Sequence, residues 1–158
     1  MWWSRRTTLL ALALAVGACG YAPVYGPQGN GAILQDALRL EAPQDEREYA
    51  FNRRIEDRLG RGIRWALSVK IDVSETPLGI TSTGNTTRYR KVGRATYTLV
   101  DPATAETLVS GSTSGFTGYS TSGSTVATVA SERDAAERLA ILLADQVIDA
   151  LLLADLPR

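Results

Sequence analysis

Trp65-Ala66-Leu67-Ser68-Val69-Lys70-Ile71-Asp72-Val73-Ser74 is the stretch on which the fold turns. Trp65, Leu67, Val69, Ile71 and Val73 alternate with small or charged residues. That period of two belongs to a strand with one face in a core and the other turned to water or a partner. Pro77 and Gly79 are expected to end it. Next comes a polar turn over 80–87, then a second strand through Tyr89 to Val100, with Tyr97 and Leu99 on one side and Thr96, Thr98 and Val100 on the other. Asp101-Pro102 through Glu106 makes another turn. A third strand begins at Thr107 and reaches about Tyr119. Residues 110–125 are Ser, Thr or Gly except Phe116 and Tyr119, which suits an exposed, hydroxyl-rich strand running into a loop.

Upstream of Trp65 the pattern changes period. Asp45 with Glu48 reads as a capping box, and Phe51, Ile55 and Leu59 fall on one face of a helix over about 45–59. Arg53 can pair with Asp57 one turn on, and Gly60 supplies the stop. Arg47, Arg53, Arg54, Arg58, Arg61 and Arg64 make this the most basic part of the chain. They read as a solvated face balanced by acids, or as a contact for anionic lipid or sugar phosphate. Residues 32–42 fit a helix start or a strand. Pro43 favours a strand near 36–42, because the residue before a proline avoids the helical region. At the other end, Ser131 with Asp134 reads as a capping box for a final helix, with a start several residues earlier left open. Ala135, Leu139, Leu142, Leu143, Val147, Leu151 and Ala154 form its apolar stripe, with Glu137, Arg138, Asp145 and Asp149 away from it.

The order β-α-β-β-β-α predicts an α+β fold: one mostly antiparallel sheet of about four strands, with both helices packed on one face. The other sheet face is left for something else.

The N-terminus carries its own instruction. Arg5 and Arg6 precede the apolar run Leu9–Val16, which is too short to span a bilayer as a mature helix. Val16-Gly17-Ala18-Cys19 then resembles the lipobox of bacterial lipoproteins. Residues 1–18 are read as a lipoprotein signal peptide, Cys19 as the lipid attachment site, residues 19–31 as a Gly- and Pro-rich tether, and 32–158 as a single domain. The thiol of Cys19 is then an anchor, and two or more acyl chains make it a stable one. Gly20 stands where an Asp would favour inner-membrane retention, which points to the periplasmic side of the outer membrane.

Composition excludes several function classes. Removing the signal from the 158-residue chain leaves 140 residues with 15 basic and 17 acidic side chains, which is not the balance of a nucleic-acid binder. Cys19 is the sole cysteine, and histidine is absent, which removes the commonest general base and metal ligand. No P-loop, GxGxxG, HExxH or CxxC occurs, so neither a cofactor, a metal nor a catalytic residue is expected. The positive candidates are cations. Thr86-Thr87-Arg88-Tyr89-Arg90-Lys91, with Arg94 following, places Arg88, Arg90 and Lys91 beside an aromatic at a strand start. Arg88 and Arg90 share one face of such a strand, Tyr89 and Lys91 the other. They read as solubilising charges or as a site for a phosphorylated glycolipid.

Cys19-Gly20-Tyr21-Ala22-Pro23-Val24-Tyr25-Gly26, the helix end Ile55-Glu56-Asp57-Arg58-Leu59, the run Gly84-Asn85-Thr86-Thr87-Arg88-Tyr89 and the Ala/Leu-rich last helix together resemble the LPS-assembly lipoprotein family LptE. The resemblance spans nearly the whole chain. It implies the α+β fold derived above and a non-enzymatic role as plug of the LptD β-barrel in the lipopolysaccharide translocon. It also implies assistance in barrel assembly and contact with lipopolysaccharide bound for the outer leaflet. Basic residues that serve the better-known members fall nearest Ser82 and Gly111 here, leaving Arg88, Arg90 and Lys91 to take over. Two other readings stand beside it: a structural lipoprotein of another envelope secretion or pilus complex, and a stand-alone glycan-binding lipoprotein.

Overall fold

The strand that opens at Trp65 runs past the expected break and ends at Ile80 in a computed structural model that describes residues 23–27, 29–80, 86–121 and 123–157. The expected signal peptide, Cys19, Gly20-Tyr21-Ala22, Ser82 and the centre of the 80–87 turn lie outside the described residues. In chain order the elements are α1 (Asn30–Leu34), β1 (Leu38–Leu40), α2 (Glu46–Leu59), β2 (Trp65–Ile80), β3 (Thr86–Asp101), β4 (Glu106–Ser120) and α3 (Thr125–Leu152).

The four strands form one sheet in the order β1-β2-β3-β4. Both hairpins are antiparallel, as expected; β1 runs parallel to β2, which α2 makes feasible as the crossover. Pro77 does not end β2 because it stands where its missing N–H would face the free edge, and the ladder absorbs the irregularity as register shifts between Pro77 and Ile80. The ambiguous stretch 32–42 divides between both of its readings: a short helix to Leu34, a turn through Asp36 at φ 53°, then a three-residue strand.

Alternation decides which side of the sheet is covered. Trp65, Leu67, Ala95, Tyr97 and Leu99 face the helices and are buried with Phe51, Ile55 and Leu59 of α2 and Leu139, Leu143, Val147 and Leu151 of α3. Asp45 caps α2, its carboxylate accepting from the Arg47 and Glu48 amides, while Glu48 accepts from the amide of Gln44 rather than that of Asp45. α3 starts at Thr125, capped by Ser124, seven residues before the Ser131 cap read from sequence. Ser131 is inside the helix, its hydroxyl donating to the carbonyl of Ala127. The sequence leaves that earlier start open because Val126 and Val129 are exposed, so no apolar stripe marks the first turns.

Gly93 and Gly115 let α3 lie close against β3 and β4: a Cβ on Gly93 would meet Leu143 at 2.9 Å and Leu139 at 3.0 Å. Between the helices, Arg54 and Arg58 of α2 hold Asp145 of α3 at 2.8 and 3.3 Å. The chain before α1 is docked as well. The side-chain amide of Asn30 donates to the carbonyls of Leu152 and Ala154, and the Tyr25 hydroxyl accepts from Arg58. The N-terminal segment, β1, the start of β2 and the end of α3 therefore gather at one end of the domain. The end of β2, the start of β3, the end of β4 and the start of α3 gather at the other.

Candidate functional site

Helices cover one face of the sheet, and the other presents the even-numbered residues of β2, β3 and β4. Register places Lys70, Thr96 and Ser112 in one row across it, then Asp72, Arg94 and Ser114, then Ser74, Val92 and Phe116, then Thr76, Arg90 and Gly118. Arg88, Arg90 and Arg94 thus form a ladder on one side of β3, the first two positions about 7 Å apart and Arg94 about 14 Å beyond Arg90. Ser and Thr hydroxyls surround it. Arg90 lies over the ring of Phe116 at 4.8 Å, and Arg94 donates to the Ser112 hydroxyl at 3.4 Å. Phe116 is nonetheless 64% exposed. At the far end Leu78, Arg88, Tyr89, Gly118, Tyr119 and Ser120 line a shallow recess of about 310 Å³. Arginines presented this way can hold phosphate or carboxylate oxygens in bidentate fashion.

The three cations singled out from sequence do not form one group. Arg88 and Arg90 are exposed on the open face. Lys91 points the opposite way and is only 8% exposed. Its ammonium donates to Glu75 of β2 at 2.7 Å and Glu132 of α3 at 3.0 Å. The Tyr119 hydroxyl donates to the second oxygen of Glu75 at 2.9 Å, and the Tyr119 ring stacks on Tyr89 with centroids 5.5 Å apart. This cluster ties three strands to α3. Gly111, the other position considered for lipopolysaccharide contact, lies under the ring of Tyr97 on the covered side. Among the described residues no three metal-ligating side chains come together.

Burial alone would raise the Glu75 carboxyl, but hydrogen bonds from Lys91 and Tyr119 and the lysine charge outweigh it and hold it below the ordinary 4.5. Burial likewise works against the Lys91 charge, and the two glutamates more than offset it, raising the ammonium above the ordinary 10.5. Burial first, then donation to Glu75, raises the Tyr119 hydroxyl, so it stays a donor throughout the neutral range. The signs set a pH window. The Glu75 contribution is present above 4.5 and lost as pH falls through its lowered value; the Lys91 contribution is present below 10.5 and lost as pH rises through its raised value. The stability difference between the wild type and Glu75→Gln, measured by urea unfolding, should therefore be flat from about pH 6 to 9 and shrink in acid. A difference that stays constant down to about pH 3 would show that the charge of Glu75 contributes nothing.

Sequence found Arg88, Arg90 and Arg94 and missed the partners of Lys91, which lie 16 and 41 residues away. It also passed over Phe116. The available signal was parity, since Phe116 has the parity of Ser112 and Ser114 and so shares their exposed face.

The family model for lipopolysaccharide-assembly LptE matches residues 36–151 of this chain. No curated protein matches it. Among solved structures, a candidate lipoprotein from Caulobacter crescentus CB15 is 17% identical with a TM-score of 0.63, covering 78% of this chain and 92% of that one. Rare lipoprotein B from Shewanella oneidensis is 12% identical with a TM-score of 0.55, covering 73% and 91%. An uncharacterized lipoprotein B from Nitrosomonas europaea is 13% identical with a TM-score of 0.56, covering 75% and 86%. At these identities the likeness is one of fold.

Proposed function

We propose that this chain, which belongs to the LptE lipopolysaccharide-assembly family, is an outer-membrane lipoprotein that plugs and helps assemble the LptD β-barrel of the lipopolysaccharide translocon. In this reading Cys19 carries the lipid anchor on the periplasmic side. The domain sits in the barrel lumen and aids insertion of lipopolysaccharide into the outer leaflet. The role is one of binding and scaffolding, without catalysis.

One observation carries the reading: the sheet is covered on one face only, and the uncovered face is hydroxyl-rich with a ladder of three arginines. Barrel lumens are polar, so such a face suits them better than it would a hydrophobic partner. Phosphate groups of a glycolipid are matched by Arg88 and Arg90, which present their guanidinium groups outward. Lys91 is already committed to two carboxylates and takes no part in that surface.

The test is to extract the outer membrane in mild detergent, capture the protein by a C-terminal tag and identify what accompanies it. A stoichiometric large β-barrel is the expected result. Recovery of the lipoprotein alone, from cells that still export lipopolysaccharide without it, would overturn the proposal. Given the barrel, Arg88→Ala and Arg90→Ala should each weaken lipopolysaccharide binding about tenfold, the size of a lost charge-assisted hydrogen bond. Lys91→Met should leave that affinity within about twofold. Equal losses at all three positions would dissociate binding from the open face.

A further inference from the structure

The sheet has two free edges, and they are built differently. The Thr121 amide donates to the Thr87 carbonyl, which fixes the phase of the β3–β4 ladder. Odd-numbered residues of β4 bond to β3, and even-numbered ones turn their N–H and C=O groups outward. Ser110, Ser112, Ser114 and Phe116 therefore present outward backbone groups with no hydrogen-bond partner among the described residues. The outward carbonyl of Gly118 is reached by the Arg138 guanidinium of α3, at 3.4 Å.

The same phasing leaves Val69, Ile71, Val73, Glu75 and Pro77 facing outward along β2 beyond the short β1. That edge carries the usual guards against pairing: a proline in an outward position and charges at Lys70, Asp72 and Glu75. From Thr107 to Thr121, β4 has no charge and no proline. A long, straight, unguarded edge is a template for another strand.

We infer that the outward edge of β4, at Ser110–Phe116, is completed by an extended segment of the barrel partner, added as a fifth strand. The inference rests on the barrel reading above and names the contact within it. Side chains specify what the segment carries. Opposite Phe116 an apolar residue would cover the exposed ring. Two residues along, opposite Gly118, the missing side chain leaves Arg90 facing the incoming strand, and an acidic residue fits there. Arg94 two rows from Arg90 and Arg138 on the helix side add positive charge near the same edge. β4 itself offers no acid between Thr107 and Ser120, so a second copy of this chain lacks the complementary charge. A strand held this way takes its affinity from backbone hydrogen bonds and its specificity from alternate side chains.

Residue-resolved amide hydrogen exchange tests this on the full lipoprotein, alone in detergent and in the captured barrel complex. Inward amides of Gly111, Thr113 and Gly115 should be protected in both. Outward amides of Ser112, Ser114 and Phe116 should exchange freely in the lipoprotein alone and slow by about a hundredfold or more in the complex. Fast outward exchange with the barrel bound would overturn the inference and leave the plug reading standing. Failure to recover any barrel would end both. Protection already present in the lipoprotein alone would assign the edge to a second copy and overturn the inference. As a second measurement, Ser112→Pro with Ser114→Pro removes two outward N–H groups without touching the β3 ladder. It should reduce barrel recovery at least about tenfold while unfolding stays cooperative. Ser112→Ala with Ser114→Ala should recover as much barrel as the wild type. Recovery by the proline variant equal to wild type would overturn the strand contact.

Discussion

Leu143→Ala should lower the folding free energy by about 3–5 kcal/mol, in the upper part of the range for buried leucines. Leu143 is fully buried, and its side chain lies above Gly93 of β3. The size of the loss depends on how far the site can collapse, and here it can collapse little. Gly93 has no side chain to move into the vacated volume, and the three long strands beneath are mutually paired. The comparison is Leu142→Ala, one residue away and 38% exposed, where about 1 kcal/mol is expected. Urea unfolding of both variants measures the contrast, and equal losses would show that α3 is not seated on Gly93 as described. A double variant sharpens the test. Gly93→Ala in the wild type brings a methyl against Leu143 and Leu139, but with Leu143 truncated it fills part of the hole. The two changes should therefore couple favourably by about 1 kcal/mol.

The second large effect lies where the chain crosses itself. Gly62→Ala should destabilise the protein by about 3 kcal/mol or more, because the added Cβ meets backbone rather than a movable side chain. It would fall on the Asp36 carbonyl, with the carbonyl carbon 2.5 Å and the Ala37 Cα 2.7 Å away. The crossing is pinned on both sides. The Gly62 amide donates to Leu38, the Asp36 amide to the Leu59 carbonyl and the Trp65 amide to Ala37. Neither strand of the crossing can retreat without losing the bonds that start β1 and β2. Gly118→Ala is the control: its Cβ meets only the Tyr89 carbonyl, at 3.3 Å. Soluble yield and the unfolding midpoint of the two variants check this. A Gly62→Ala protein as stable as Gly118→Ala would mean the crossing is looser than drawn.

Short-range patterns made most of the fold readable in the sequence. Alternation from Trp65 to Val73 and from Tyr89 to Val100 gave two strands and their buried faces, and the spacing of Phe51, Ile55 and Leu59 gave the core side of α2. What escaped depends on residues far apart in the chain. The parallel pairing of β1 is set by three residues and a crossing at Gly62, which leaves no periodic trace. Asp145 and Lys91 look like surface charges until α2 and α3 bring Arg54 and Glu132 to them. The open-face arginines were found because parity along one strand is a local property. The free edge of β4 was not, since it requires knowing which strand comes last in the sheet.

The docking of Asn30 beside the end of α3 also sets a reach. Only three residues lie between Cys19 and Pro23, so with the proposed anchor the near end of the domain lies within about 14 Å of the acylated residue. From there β2 and β3, each 16 residues long, extend about 50 Å to the end that carries Arg88. The hydrocarbon layer is about 30 Å thick. Standing upright from the inner leaflet, the protein is tall enough to bring its arginine-bearing tip to the opposite surface of the membrane. Each added pair of residues per strand would lift that tip by about 7 Å, so under the proposed function strand length would set the distance between the anchor and the arginines.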